Sequence, residues 1–113
     1  MTQLTVAAAQ ILATDDPDHN LDQVREATTR AAAAGAQVVV FPEATMARFG
    51  SPLRRLAQPL DGAFASGVRA TAAEHGVLVI AGMFIPAPDG RVRNTLLATG
   101  AGVEASYDKI HLY

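Results

Sequence analysis

The 113-residue sequence contains no cysteine and no tryptophan. The absence of cysteine excludes disulfide bonds and thiolate metal sites, and it fits a reducing compartment. Aromatic residues make up only 5% of the chain, so a core has to be built mainly from alanine, valine, leucine and isoleucine. Because 50% of the residues are hydrophobic and 18% are charged, the composition is that of one ordinary globular domain rather than a disordered chain.

The chain also lacks a strongly basic region and a long apolar run. Its formal net charge of -2 gives no electrostatic reason to expect a nucleic-acid partner. The apolar stretch at residues 4–13 has no basic residue before it, unlike a secretory signal peptide. No stretch approaches the apolar length of a membrane span. We therefore expect a cytoplasmic protein with neither a membrane nor a nucleic-acid partner.

The apolar pattern predicts alternating strands and helices in the first two-thirds of the chain. Three short runs are apolar on both faces, which is typical of strands that are covered on both sides. These runs are residues 4–11, 37–41 and 77–81. Helical spacing of apolar residues, with a glycine after each end, predicts two helices. The helices run from residue 17 or 20 to 34, and from residue 61 or 63 to 75.

Turn residues divide the rest of the chain into two further strands, at residues 94–99 and 103–107, with Asp89-Gly90 favouring a hairpin before them. The predicted fold class is therefore α/β, with a sheet that is parallel at first and antiparallel later. Right-handed crossovers place both helices on one face of this sheet. Strands that are apolar on both faces would then need a second sheet, which these residues do not supply.

Glu43 is the first candidate for a chemical role. It follows Pro42 at the end of the second predicted strand, where open α/β sheets collect their functional groups. The alternative is an acidic residue in the first turn of a helix, but the segment after Glu43 lacks helical periodicity. Partial burial is expected to raise the pKa of Glu43 from about 4.3 towards a proton-accepting value.

Lys109 is the second candidate, because it lies between Tyr107 and Ile110-His111-Leu112, and this surrounding sequence predicts an inward-facing position. The alternative is an ordinary solvated lysine. A partly buried lysine beside a carboxylate stabilises an oxyanion. His111 is either a base or a hydrogen-bonded core residue. The three histidines have no ligand-like spacing, so we expect no metal and no cofactor. The loop after the first strand also lacks the glycines of a nucleotide-binding site.

Five segments occur in the order and at the spacing of a known family. They are Ala8-Ala9-Gln10, Ala34-Gly35-Ala36-Gln37-Val38-Val39-Val40, Phe41-Pro42-Glu43-Ala44, Asn94-Thr95 and Tyr107-Asp108-Lys109-Ile110-His111-Leu112-Tyr113. Together they resemble the nitrilase superfamily of carbon–nitrogen hydrolases, and most closely its amidases of deaminated glutathione and ω-amidases. The resemblance covers the whole chain but less than half of the family's domain. Residues 1–113 are therefore interpreted as an incomplete domain that lacks the nucleophile-bearing remainder.

This resemblance implies a four-layer α-β-β-α sandwich, commonly paired into dimers, that cleaves small-molecule amides or nitriles. It implies that Glu43 is the general base and that Lys109 stabilises the oxyanion, while a cysteine forms a thioester. Because the chain has no cysteine, we expect it to be inactive alone. The alternative function is a non-catalytic α/β module that binds a partner or forms a dimer through its exposed sheet.

Overall fold

Five strands form one mixed sheet in the computed structural model, which describes the backbone of residues 3–112 and the side chains of residues 3–109. The strands are β1 (Val6–Ala8), β2 (Val38–Val40), β3 (Leu78–Pro86), β4 (Val92–Gly100) and β5 (Val103–Leu112), and they lie side by side in chain order. β1, β2 and β3 are parallel, whereas β3, β4 and β5 are antiparallel. The predicted change from parallel to antiparallel pairing is confirmed.

Two strands extend well beyond their predicted ends. β3 was expected to end at residue 81, but it pairs with β4 without a break from Val79↔Thr99 to Pro86↔Val92. β5 was expected to end at Tyr107 and continues to Leu112. Both extensions depend on pairing with β4, which a search for local apolar periodicity does not detect. β1, by contrast, has only three residues of the eight predicted.

The helices follow their predicted limits closely. α1 (Pro17–Ala33) is capped by Asp16, whose side chain accepts hydrogen bonds from the amides of Asp18 and His19. A short α2 (Leu53–Leu56) lies between β2 and α3 (Ala63–His75), and α3 ends at Gly76 in the left-handed conformation. None of the helices in the described part of the chain is long and apolar enough to cross a membrane.

α1 and α3 pack together on one face of the sheet, as predicted. The fully buried side chains between these helices and the sheet include Val24, Phe64, Val68, Val79 and Met83. Each of these contributes about 1.5–3 kcal/mol by its removal from water. A glycine within α3 lets the two helices approach closely, because a Cβ at Gly67 would lie 2.4 Å from Cδ2 of Leu21.

The opposite face of the sheet is apolar and largely uncovered by the described residues. Register places Ala8, Val40, Ile80, Ala98 and Ala105 in one row across all five strands. A shallow depression of about 200 Å³ lies on this face, lined in part by Ile80, Leu96 and Tyr107. The prediction that the two helices cover one face only is confirmed, and no second sheet lies over the other face among residues 3–112.

One end of this second face is covered by residues 44–57, which connect β2 to α3. Ala47 packs there against Phe84 and Val92, with α2 beside them. The uncovered apolar face therefore begins where this covering segment ends. The candidate site lies at that boundary.

Candidate functional site

The chain turns sharply after β2 and crosses β3 at a glycine. The amide of Gly82 donates to the Pro42 carbonyl at 3.3 Å, and the amide of Met46 donates to the Gly82 carbonyl at 3.0 Å. A Cβ at Gly82 would lie only 1.4 Å from the carbonyl oxygen of Glu43. A side chain at this point is thus incompatible with the observed path of the Glu43 backbone.

Glu43 lies in a turn and not in the first turn of a helix. The Thr45 hydroxyl stabilises this turn by donating to the Pro42 carbonyl at 2.6 Å. The helix-start alternative for Glu43 is therefore wrong. Its position just beyond the carboxyl end of β2 agrees with the prediction made from the sequence.

The structure brings Glu43 and Lys109 into direct contact. Nζ of Lys109 donates a hydrogen bond to Oε2 of Glu43, within an ion pair. Nδ2 of Asn94, in β4, donates to the other carboxylate oxygen, Oε1, at 2.6 Å. Both oxygens of the carboxylate are thus held by a donor, which fixes the orientation of the group. The side chains of Glu43 and Lys109 are still 37% and 40% exposed, so the pair is open to small molecules.

The two donors lower the pKa of Glu43, Lys109 having the larger effect and Asn94 the smaller one, while partial burial acts in the opposite direction. The expectation that burial would raise this pKa is therefore wrong. The reason is that the partly exposed carboxylate gains more from its two donors than it loses by desolvation. Glu43 is consequently ionised at neutral pH and can accept a proton.

Asn94 is a site residue that the sequence analysis did not assign, although it appeared in one of the family-like segments. Its side chain is fully buried, and its Oδ1 accepts no hydrogen bond from any residue that the structure describes. Leaving a buried acceptor unpaired costs about 1–3 kcal/mol. The presence of an asparagine within a predicted strand was the available signal, since asparagine is disfavoured in strands.

The histidines contribute no described group to this site. His19 is exposed on α1, and Nε2 of His75, in the last turn of α3, lies 3.1 Å from the Thr29 hydroxyl. Both helices are on the face of the sheet opposite Glu43. The side chain of His111 lies outside the described residues, so its expected role stays a prediction. Within residues 3–109, no group of three or more potential metal ligands occurs.

The arrangement combines a proton acceptor with a fixed positive charge at the edge of an apolar surface. Alternation along β4 puts Asn94 on the same face as Leu96, and Tyr107 lies opposite Leu96 in β5. The Glu43–Lys109 pair therefore adjoins the uncovered apolar face. A carboxylate and an ammonium in this arrangement can take up a proton and stabilise a developing oxyanion.

Residues 5–113 match the family described as Carbon-nitrogen hydrolase. A Mycobacterium tuberculosis protein named as a hydrolase is 55% identical over 114 residues, a match that covers 97% of this chain and 41% of that protein. The deaminated glutathione amidase of Escherichia coli O157:H7 is 31% identical over 114 residues, covering 97% of this chain and 44% of the amidase. The chain thus spans about two-fifths of the length of the curated relatives it matches.

A solved structure gives the same fold. It is a mutant of the amidase from Nesterenkonia sp. AN1, in which acrylamide has added to the active site cysteine. It superposes with a TM-score of 0.80 at 25% identity, covering 98% of this chain and 46% of the amidase. The same amidase is described elsewhere as a member of the nitrilase superfamily. The match to the family and the superposition on this amidase thus point to the same family.

Proposed function

The chain belongs to the carbon-nitrogen hydrolase family, and from this we propose that Glu43 and Lys109 form part of a site that hydrolyses small-molecule amides. The observation that carries the proposal is the direct contact between the two side chains beside an open apolar surface. Two similar proteins support amides as the substrate class, since one is named as a deaminated glutathione amidase and the other as an amidase.

The nucleophile in this proposal is a cysteine outside the 113 residues, because the chain contains none. We propose that residues 1–113 form the N-terminal part of an α-β-β-α sandwich domain whose remainder bears that cysteine. The uncovered apolar face supports this, since a second sheet would bury it. The active site cysteine of the Nesterenkonia amidase supports it as well. For the full-length form we propose a homodimer, following the family resemblance, and a cytoplasmic location, as expected from the sequence.

Glu43 acts as the general base in the first step. A free thiol with a pKa of about 8.5 is only slightly ionised at neutral pH, so a base is needed to form the nucleophile. Glu43 takes the thiol proton while the sulfur forms a bond to the amide carbon. The carbonyl electron pair moves onto oxygen, and the ammonium of Lys109 stabilises the resulting oxyanion. Because its pKa is lowered, Glu43 is already in the required ionised form.

The tetrahedral species then re-forms its carbonyl, and the C–N bond breaks. The amine leaves with the proton that Glu43 had accepted, and a thioester remains. Water adds to the thioester carbon as Glu43 accepts one of its protons. Collapse of the second tetrahedral species breaks the C–S bond, releases the carboxylic acid and returns the proton to sulfur.

The proposal is tested by fusing residues 1–113 to the remainder of the Mycobacterium tuberculosis relative, which is 55% identical in the matched region. Ammonia release is measured with a panel of small amides. We expect turnover by the fusion, none by the 113-residue chain alone, and none when the cysteines of the added part are replaced by alanine. Hydrolysis by the chain alone at the rate of the fusion would contradict the cysteine mechanism.

Two substitutions in the fusion test the roles of the pair. Glu43→Gln and Lys109→Ala are each expected to abolish turnover while leaving the fold intact, as judged by circular dichroism and cooperative melting. Glu74→Gln is the matched control, because Glu74 is an exposed glutamate on α3, on the other face of the sheet. Near-normal turnover in either of the first two variants would overturn the assigned roles.

The uncovered apolar face also favours the second candidate, a non-catalytic module that binds a partner or forms a dimer. The two functions differ in the expected behaviour of the isolated chain. A soluble chain that melts cooperatively favours the module, whereas aggregation favours a domain that needs its second layer. A fold-competent fusion that releases no ammonia from any amide of the panel would likewise favour the module.

A further inference from the structure

The pairing of β5 with β4 changes register next to Lys109. Pairing is regular from Gly100↔Val103 to Thr95↔Asp108, but the next recorded pair is Arg93↔Leu112. Between these two pairs β5 advances by four residues whereas β4 advances by two, which is the pattern of a β-bulge. Lys109 is the first residue of β5 beyond the regular pairing. The backbone ladder on its own consequently does not fix the direction of the Lys109 side chain.

The face to which the Lys109 side chain points depends on the face that the preceding residue, Asp108, occupies. Thr95 pairs with Met83, which is buried under the helices, and Asp108 lies opposite Thr95 on that same face. Since successive side chains of a strand point to opposite faces, Lys109 then points to the face that carries Glu43. A slip of β5 by one residue would exchange the two faces and remove Lys109 from the site.

A cross-strand hydrogen bond holds the pairing at the last regular position. The hydroxyl of Thr95, which is fully buried, donates to Oδ1 of Asp108 at 2.6 Å. Nη1 of Arg93 lies 3.8 Å from Oδ2 of the same carboxylate. The Arg93 side chain is 41% exposed and that of Asp108 is 44% exposed, so this ion pair contributes little. The hydrogen bond from Thr95 is thus the stronger constraint.

We infer that Thr95 and Asp108 are positioning residues that hold β5 in the register at which Lys109 reaches Glu43. This inference rests on the proposed function of the Glu43–Lys109 pair and assigns it a supporting pair on the other face of the sheet. Each of the two strands carries one residue of the site and one positioning residue at adjacent positions. Asn94 precedes Thr95 in β4, and Asp108 precedes Lys109 in β5.

The pH titration of the Glu43 carboxyl group by NMR, carried out on the fusion, tests the inference without requiring catalysis. Thr95→Val removes the hydroxyl and Asp108→Ala removes the acceptor, the latter at a position exposed enough to tolerate the change. Both are expected to raise the pKa of Glu43, because Lys109 would no longer be held beside it. Thr95→Ser and Asp108→Asn keep a donor and an acceptor, and they are expected to retain the wild-type titration.

The chain supplies both a direct probe and a matched control. Lys109 is the only lysine of residues 1–113, so selective ¹³C labelling of lysine in the fusion gives one signal from this part, which is identified by its loss in Lys109→Ala. The hydroxyl of Thr99 donates to Oε1 of Glu104 at 2.6 Å between the same two strands, away from the site. Thr99→Val removes an equivalent hydrogen bond and should leave the Glu43 titration and the Lys109 signal unchanged.

The inference fails if Thr95→Val and Asp108→Ala fold and keep the wild-type titration, or if Thr99→Val shifts it equally. In the fusion, Thr95→Val should lower kcat by about a hundredfold with little change in KM, since misplacing a reacting group by about 1 Å costs this much. Fusions that are all inactive would refute the proposed function, while the titration would still decide the positioning role.

Discussion

Replacing Asn94 with leucine is expected to impair the site while leaving the stability of the chain almost unchanged. The substitution removes the hydrogen bond from Nδ2 to Oε1 of Glu43, which is 2.6 Å long. Hydrogen bonds to charged groups contribute about 1.5–3 kcal/mol. Glu43 is 37% exposed, so solvent screening places the loss near the lower limit, at about 1.5 kcal/mol.

The same substitution removes an unfavourable feature. Oδ1 of Asn94 is buried and has no hydrogen-bond partner in the described part of the chain, which costs about 1–3 kcal/mol. Leucine places apolar atoms in a site with no exposure to water. The two effects have opposite signs and similar size. We therefore expect the free energy of unfolding to change by less than about 1 kcal/mol.

The site should respond differently from the fold. Without the amide donor, the pKa of Glu43 rises towards its ordinary value, while Lys109 still lowers it. The measurements are the NMR titration of Glu43 and urea denaturation of the same variant, with the fusion used to measure turnover. A loss of more than about 3 kcal/mol would show that Asn94 is mainly a structural residue. An unchanged titration of Glu43 would refute the role of the amide.

Three further predictions follow from the same contacts. The pKa of Glu43 in the folded protein lies below its ordinary value of 4.5, so the ion pair with Lys109 stabilises the fold above that pH and stabilises it less as the pH falls. Lys109→Met should therefore lower the free energy of unfolding by about 0.2–1 kcal/mol at pH 7 and leave it unchanged in acid. Denaturation measured at several pH values tests this. Gly82→Ala should lower the free energy of unfolding, measured by thermal denaturation, by more than about 4 kcal/mol, since the new Cβ would lie 1.4 Å from the Glu43 carbonyl oxygen. A variant as stable as the wild type would contradict the observed path of the Glu43 backbone. Gly67→Ala should lower the free energy of unfolding, measured by urea denaturation, by about 1 kcal/mol, because the clash of the new Cβ with Leu21 outweighs the gain in helix propensity. A stabilised variant would refute the close approach of the two helices.

Local signals in the sequence were sufficient for the helices and for the order of the strands. Asp16 caps α1 through hydrogen bonds to residues two and three positions away, and Gly76 ends α3 with a φ of 63° that suits glycine. Both effects act within one turn of the chain. The glycine therefore predicted the end of α3 at residue 75, where the structure has it.

The environment of Glu43 could not be predicted in the same way. Its donors, Asn94 and Lys109, lie 51 and 66 positions away in the sequence. The sequence indicated partial burial, which raises the pKa of a carboxyl group, but not the two donors that lower it. The extension of β3 past Gly82 was missed for a related reason, since it depends on cross-strand pairing with β4 and not on apolar periodicity within β3. Contacts between elements thus account for what the sequence analysis missed.

The position of the site on the sheet connects its chemistry to the apolar face. Glu43 and Lys109 lie on the same side as Ile80, Leu96 and Tyr107, and the side chain of Tyr107 is one of the exposed hydrophobic groups of the chain. A second layer that covers these residues also removes water from around the ion pair. Lower dielectric strengthens both the hold of Lys109 on a developing oxyanion and the proton affinity of an unpaired Glu43. Burial of the apolar face and activation of the site are therefore one event in the proposed enzyme, so a fusion that stays open at this face should bind amides without hydrolysing them.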